Sequence, residues 1–361
     1  MDFANLKIQY QKYQIDIDKR IKMVLNDSKY IMGPEINELE SALESFTDSR
    51  YAISCSSGTD ALTLSLMTMD IKPGDEIITT PFSFISTAET IALMKAVPVF
   101  VDIEPDTFNI DAGKIEEAIT KKTRIIMPVC LFGQPAQMNT IQAIADNYNL
   151  KVIIDGAQSF GSLYHGKMDS SLGDISTTSF FPAKPFGCYG DGGAIFTNNE
   201  EYAKKLKMLR IHGQNKRYEH KYIGIGGRLD TIQAAILLAK LPYFKDELSE
   251  RQKVADHYSN ALHNYFQVPV IKTGRISTWA QYTIRINNRG VAVQKLKENG
   301  IPTAIYYPTP LHLQECFKYL NYKKGDFEIA ETASKEVLSL PINAFMKEDL
   351  DEILENLIKL A

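Results

Sequence analysis

No apolar run in this chain of 361 residues approaches the roughly 20 residues that a membrane-crossing helix needs. The N-terminus, Met1-Asp-Phe-Ala-Asn-Leu-Lys7, has no basic segment leading into an apolar stretch, unlike a secretory signal. Cysteine is scarce. Cys55, Cys130, Cys188 and Cys316 form no CxxC pair and no metal-ligand spacing, which argues against a zinc site or a disulfide scaffold. The expectation is therefore reduced thiols in a cytoplasmic protein, with no metal and no membrane partner. Charge of one sign is also missing. The 40 Lys and Arg nearly balance 44 Asp and Glu, and a net charge of -4 gives no sign of a polyanion-binding protein, while leaving room for a small basic patch that takes a diphosphate. Internal repeats and low-complexity linkers are absent. What remains is an ordinary globular composition, 44% hydrophobic and 23% charged, on a chain long enough for two domains.

Alternating short strands and helices dominate the first two thirds. Strand-like runs are Tyr51–Cys55, Glu76–Thr80, Val97–Val101, Arg124–Val129, Lys151–Asp155 and Gly193–Thr197. Helical spacing of Ile36, Leu39, Leu43 and Phe46 predicts a helix over 35–47, and others over 60–67 and 138–147. This alternation predicts an α/β fold around a largely parallel sheet. The pattern changes near Leu241-Pro-Tyr-Phe. A charged helix is expected from about Lys245 to Tyr265, followed by a strand over 282–286, a helix over 291–299 and a terminal helix over 347–360. The expected division is a large domain over 15–245 and a smaller α+β domain over 246–361, joined by residues 1–14.

The most informative segment is Ser179-Phe-Phe-Pro-Ala-Lys184-Pro-Phe-Gly-Cys-Tyr-Gly190-Asp-Gly-Gly193. Phe180, Phe181, Pro182, Pro185 and Phe186 should draw the Lys184 amine out of bulk water. Burial disfavours the charged form, and a neutral amine can join an aldehyde such as pyridoxal phosphate as a Schiff base. Other residues read two ways. Ser57-Gly58-Thr59, between a strand and a helix, is either a plain N-cap or an anion cradle of backbone N–H groups. Asp155 closes an apolar strand, as a turn residue or as the carboxylate that holds a pyridine nitrogen protonated. Gln158 is placed to reach the phenolic oxygen of that ring and Ser179 its phosphate. Phe84 is either core or a stacking ring.

In order and spacing these segments resemble the DegT/StrS family, the nucleotide-sugar aminotransferases of pyridoxal phosphate fold type I. The resemblance runs through Tyr30-Ile-Met-Gly-Pro-Glu35, Ser56-Ser-Gly-Thr-Asp-Ala61, Pro98-Val-Phe-Val-Asp102, Leu131-Phe-Gly-Gln-Pro135, Ile154-Asp-Gly-Ala-Gln158, the Lys184 segment, Arg228-Leu-Asp-Thr-Ile-Gln-Ala-Ala235 and Tyr306-Tyr-Pro-Thr-Pro-Leu-His312. It implies a large, mostly parallel sheet domain with a smaller α+β C-terminal domain, and a homodimer with shared active sites. It implies Lys184 as the Schiff-base lysine, Asp155 on the ring nitrogen, Gln158 on the phenolic oxygen, Gly58, Thr59 and Ser179 on the phosphate, and Phe84 on the ring. Arg228, Tyr307 and His312 are implied to line the sugar-nucleotide site. Relatives read Gly-x-Asn-x-Arg where this chain has Gly224-Ile-Gly-Gly-Arg228, so Gly226 replaces an asparagine that would reach a phosphate across the subunit boundary. Lysine at 184 argues against the dehydratase branch, which carries histidine there.

The implied reaction passes an amino group from L-glutamate, which leaves as 2-oxoglutarate, to a UDP-linked keto-sugar. The Lys184 segment looks most like enzymes that aminate UDP-linked 3-keto-N-acetylglucosaminuronic acid for O-antigens. The alternative substrate is a UDP-4-keto-6-deoxy-N-acetylhexosamine aminated at C4. A cofactor-binding regulator without turnover would lack the lysine or the phosphate cradle. A dinucleotide-binding oxidoreductase is disfavoured because no GxGxxG follows the first strands.

Overall fold

The computed structural model describes residues 2–346 and 349–360. A seven-stranded sheet forms its centre, in the spatial order Tyr51–Cys55, Gly193–Thr197, Ile175–Ser179, Lys151–Asp155, Thr123–Ile126, Glu76–Thr79 and Val97–Phe100. Neighbouring strands pair parallel, except that Gly193–Thr197 runs antiparallel to both of its neighbours. Alternation along the strands builds two cores. Ile53, Ile77, Ile125, Ile153 and Ile195 face the helices Gly58–Thr68 and Glu200–Leu209. Ile78, Ile126, Val152 and Ile154 face the helix Met138–Tyr148. Covered on both sides, the strands read as continuous apolar runs.

The helix Pro34–Thr47 starts with Pro34 after an extended Gly33, and buries Ile36, Leu39 and Leu43. The helix expected from Lys245 begins much earlier, at Thr231, and runs 32 residues to Leu262. Pro242 lies inside it without ending it, although proline removes one backbone donor. Packing on both sides of Pro242 holds the helix together. Ala234, Leu237 and Leu238 join the core under the sheet, while Val254, Ala255, Tyr258 and Leu262 join a second core. The boundary expected between 245 and 246 therefore falls inside one helix.

The second core gathers an antiparallel pair, Tyr282–Arg285 with Val337–Leu340, and the helices Arg289–Glu298 and Leu350–Ile358. The expected start of the last helix, Lys347, lies outside the described residues. An N-terminal helix, Leu6–Asp27, sets Tyr13 and Ile17 against Ile236 and Ala239 of the long helix. Among the described residues no helix is long and apolar enough to cross a membrane.

Candidate active site

Parallel sheets gather ligands beyond the carboxyl ends of their strands, and Asp155 and Ser179 close two adjacent strands there. Asp155 is 4% exposed. Its Oδ2 accepts a 2.7 Å hydrogen bond from the Thr87 hydroxyl, and its Oδ1 one of 3.2 Å from the Ala157 amide. Burial pushes the Asp155 carboxyl up, and Thr87, the Ala157 amide and the charge of Lys184 pull it back. Lys184 is half-buried. Burial lowers its ammonium below the ordinary lysine value, and the Asp155 carboxylate opposes the shift. The two groups lie close enough to feel each other, a base and a carboxylate pushed off their ordinary values in one cleft. Asp155 is also a turn residue, since its bond from Ala157 closes an Asx turn.

The loop that carries Lys184 leaves one strand and returns to the next. The Phe180 amide donates to the Gly192 carbonyl at 2.8 Å, and the Lys184 amide to the Phe181 carbonyl at 2.8 Å. Phe180 and Phe186 are buried and Phe186 packs on Phe244, but Phe181 is 50% exposed and shields Lys184 less than its spacing suggested.

The helix Gly58–Thr68 points its N-terminus at the same strand end. Ser57 is its cap and accepts from the Asp60 amide, so capping falls to Ser57 and leaves the Gly58 and Thr59 amides without intrahelical partners. Thr59 Oγ1 lies 2.8 Å from Ser86 Oγ. A Cβ placed on Gly58 would stand 2.8 Å from Ser179 Cβ, closer than such atoms approach. Gly58 and Ser179 are thus pressed together, and helix amides meet a hydroxyl in a setting suited to a phosphate.

Gln158 uses both ends of its amide within the protein. Oε1 accepts from the Phe132 amide at 2.7 Å, and Nε2 donates to the Tyr307 hydroxyl at 3.0 Å. Burial raises the Tyr307 phenol above its usual value, so it stays protonated. The Phe84 ring lies 6.4 Å from the Tyr307 ring and is 56% exposed, so it is an open face rather than core. Arg228 is half-buried. The place a Cβ would take at Gly226 lies 3.2 Å from the imidazole of His212 and 3.8 Å from Arg228 Nη2. The His212 ring and Arg228 thus flank the backbone at Gly226.

His312, expected to line the sugar-nucleotide site, is a buried side chain here. It is 2% exposed, its Nε2 lies 3.1 Å from Glu331, and its ring stands 4.8 Å from Phe327. Its Nδ1 has no hydrogen-bond partner among the described residues. Sequence reasoning also missed Thr87, the residue that holds Asp155. Thr87 lies three residues after Phe84, but threonine in a helix gives no signal of its own. Among the described residues no group of His, Cys, Asp and Glu could hold a metal ion.

The set fits pyridoxal phosphate chemically. It offers an amine with lowered basicity, a buried carboxylate for a ring nitrogen, an exposed aromatic face, and a helix N-terminus beside a hydroxyl. Comparison with known proteins points the same way. The profile of the DegT/DnrJ/EryC1/StrS aminotransferase family matches residues 11–358. The UDP-2-acetamido-2-deoxy-3-oxo-D-glucuronate aminotransferase of Pseudomonas aeruginosa is 46% identical over 347 residues, 96% of each chain. A crystal structure of a family aminotransferase from Brucella abortus superposes with a TM-score of 0.94 at 40% identity, over 99% of this chain and 98% of that one. NtdA from Bacillus subtilis, with bound cofactor PMP, superposes with a TM-score of 0.93 at 34% identity, over 100% of this chain and 85% of that one. The chain belongs to the DegT/DnrJ/EryC1/StrS aminotransferase family, and it is a pyridoxal phosphate-dependent enzyme of fold type I.

Proposed function

We propose that the protein transfers the amino group of L-glutamate to UDP-2-acetamido-3-keto-glucuronic acid, giving a 3-amino sugar for O-antigen or related surface polysaccharide. The observation that carries this reading is the 46% identity, over 96% of both chains, to the P. aeruginosa aminotransferase named for that substrate. The presence of Lys184 beside Asp155 supports turnover rather than mere cofactor binding.

Pyridoxal phosphate supplies a ring that draws electrons from the bond to be broken. Lys184 would hold it through Nζ and, once free, its amine would serve as the base that accepts and returns the substrate proton. Lowered basicity suits that task, since the amine must be neutral to accept the proton. Asp155, steadied by the Thr87 hydroxyl, would hold the ring nitrogen in its protonated form. Gly58, Thr59 and Ser179 would hold the phosphate, and Phe84 would cover the ring. Gln158, whose Nε2 donates to the Tyr307 hydroxyl, would hold that hydroxyl in place at the site. Arg228 faces the anionic sugar nucleotide, with His212 beside it. The enzyme acts in the cytoplasm as a homodimer whose two sites each draw residues from both subunits.

A half-reaction assay tests the substrate. The protein is converted to its pyridoxamine phosphate form with glutamate, freed of donor, and mixed separately with a UDP-3-keto-uronic acid and a UDP-4-keto-6-deoxy sugar. Return of the lysine-bound cofactor spectrum with only the first is expected. Return with only the second would move the enzyme to C4 amination.

A further inference from the structure

The long helix presents one face to the loop that carries Lys184. Gln233, Lys240, Phe244 and Glu247 recur on that face at helical spacing. Gln233 Oε1 accepts from the Tyr189 amide at 2.9 Å. Lys240 Nζ donates to the Gly187 carbonyl and lies 5.4 Å from the centre of the Tyr189 ring. Phe244 meets Phe186, 4.8 Å between ring centres. Three consecutive contacts thus hold the turn that follows Lys184.

Lys240 is 3% exposed. A buried ammonium costs stability unless paired, and a leucine or methionine would fill the same space without that cost. Glu247, one helical repeat away, does not claim it. Gln9 of the first helix donates to both Glu247 oxygens, at 3.0 and 2.9 Å. The other titratable groups around the amine are Arg251 on its own helix, Cys188 and Tyr189 on the loop, and Tyr10 of the first helix, whose ring meets Tyr189 at 6.2 Å. Burial pushes the Lys240 ammonium down to about 8, with Glu247 and Cys188 opposing. What the charge gains in that place is a charge-assisted bond to the backbone three residues beyond Lys184.

We propose that Lys240, seconded by Gln233, is a positioning residue for the reaction: it fixes the Gly187–Tyr189 turn and so fixes where the Lys184 amine comes to rest. This rests on Lys184 being the reactive amine. Lys240 touches neither substrate nor cofactor and acts only through the loop.

The test uses the full-length holoenzyme with Lys240→Met, Lys240→Arg and Gln233→Leu. Hydrogen exchange of the 184–190 amides is followed with and without cofactor, together with single-turnover rates with glutamate. In Lys240→Met the loop amides exchange faster in both forms. The glutamate half-reaction slows on the order of 10- to 100-fold, the scale expected of a small misplacement, with little change in KM. Lys240→Arg, which keeps the charge, recovers part of the rate. The wild-type rate falls as the pH rises through about 8, where the ammonium loses its proton, and this limb is absent in Lys240→Met. A folded Lys240→Met enzyme with wild-type rate and exchange overturns the proposal, as does a slowed rate with unchanged loop exchange. If Lys240→Met does not fold, Gln233→Leu decides: faster loop exchange with a slower half-reaction supports the clamp, and wild-type behaviour overturns it. An active Lys184→Ala protein would sink the underlying reading while leaving the exchange result standing.

Discussion

The proposed chemistry turns on one proton transfer assigned to two side chains, Lys184 and Asp155. Lys184→Ala is expected to abolish turnover and the absorbance of the lysine-bound cofactor, read by visible spectroscopy of the purified holoenzyme. Asp155→Ala should keep the fold, checked by circular dichroism, and lower the steady-state rate by several orders of magnitude, because an unprotonated ring is a poor acceptor of negative charge. A second carboxyl sits behind the same turn. Asp169 is buried, accepts from Ser159 and from the Ser170 amide at 2.8 Å, and is pushed up to about 7 by burial. Its ionised form is disfavoured in the folded state, so between about 4 and 7 the native protein binds more protons than the unfolded chain. Stability should therefore fall as the pH rises through that window, and Asp169→Asn should flatten the slope in denaturant melts at pH 5 and pH 8. Lys184 was legible because aromatic and proline neighbours are unusual around a lysine. Thr87 was not, since its importance lies in a contact 68 residues away along the chain.

Among the elements, strands rich in β-branched residues and covered on both faces declared themselves. Lys151–Asp155 and Gly193–Thr197 fall where the sequence places them. Ile175–Ser179 did not, because Ser-Thr-Thr-Ser reads as a loop, yet its hydroxyls bond neighbouring backbone. Thr177 Oγ1 donates to the Ile154 carbonyl at 3.0 Å and Thr178 Oγ1 to that of Gly156 at 3.3 Å. The long helix was hidden by Pro242, which local propensity treats as a stop and tertiary packing overrode. The site element that spacing did foretell, the Gly58–Thr68 helix, offers its own test. Gly58→Ala would set a Cβ 2.8 Å from Ser179 Cβ, prying the cradle open. Cofactor affinity should drop by about tenfold or more, the loss of one charge-assisted hydrogen bond, in a spectroscopic titration of stripped protein. Ser179→Gly in the same chain should relieve the clash without restoring the lost hydroxyl contact.

Across the whole molecule, the helix Pro34–Thr47, the edge strand Tyr51–Cys55 and the residue ending Glu200–Leu209 are tied by one buried ion pair, Glu40 with Arg210. Ser54 completes it, donating through its hydroxyl to Glu40 at 2.8 Å and accepting from Arg210 at its carbonyl at 2.7 Å. Arg210→Met leaves Glu40 uncompensated in the interior and should cost about 3–5 kcal/mol in chemical denaturation. Assembly has its own test. If each site draws on both subunits, mixing inactive Lys184→Ala with inactive Arg228→Ala protein should restore activity at roughly a quarter of the sites by random pairing. The antiparallel strand Gly193–Thr197 carries one last consequence. Because it runs against Ile175–Ser179, Ser179 pairs directly with Gly193, and the segment that bears the lysine starts and finishes at one point of the sheet. Such a segment is moored at both ends by the sheet and in its middle by the long helix, so its length is set from two sides and an insertion within 180–192 should displace the lysine rather than loop out.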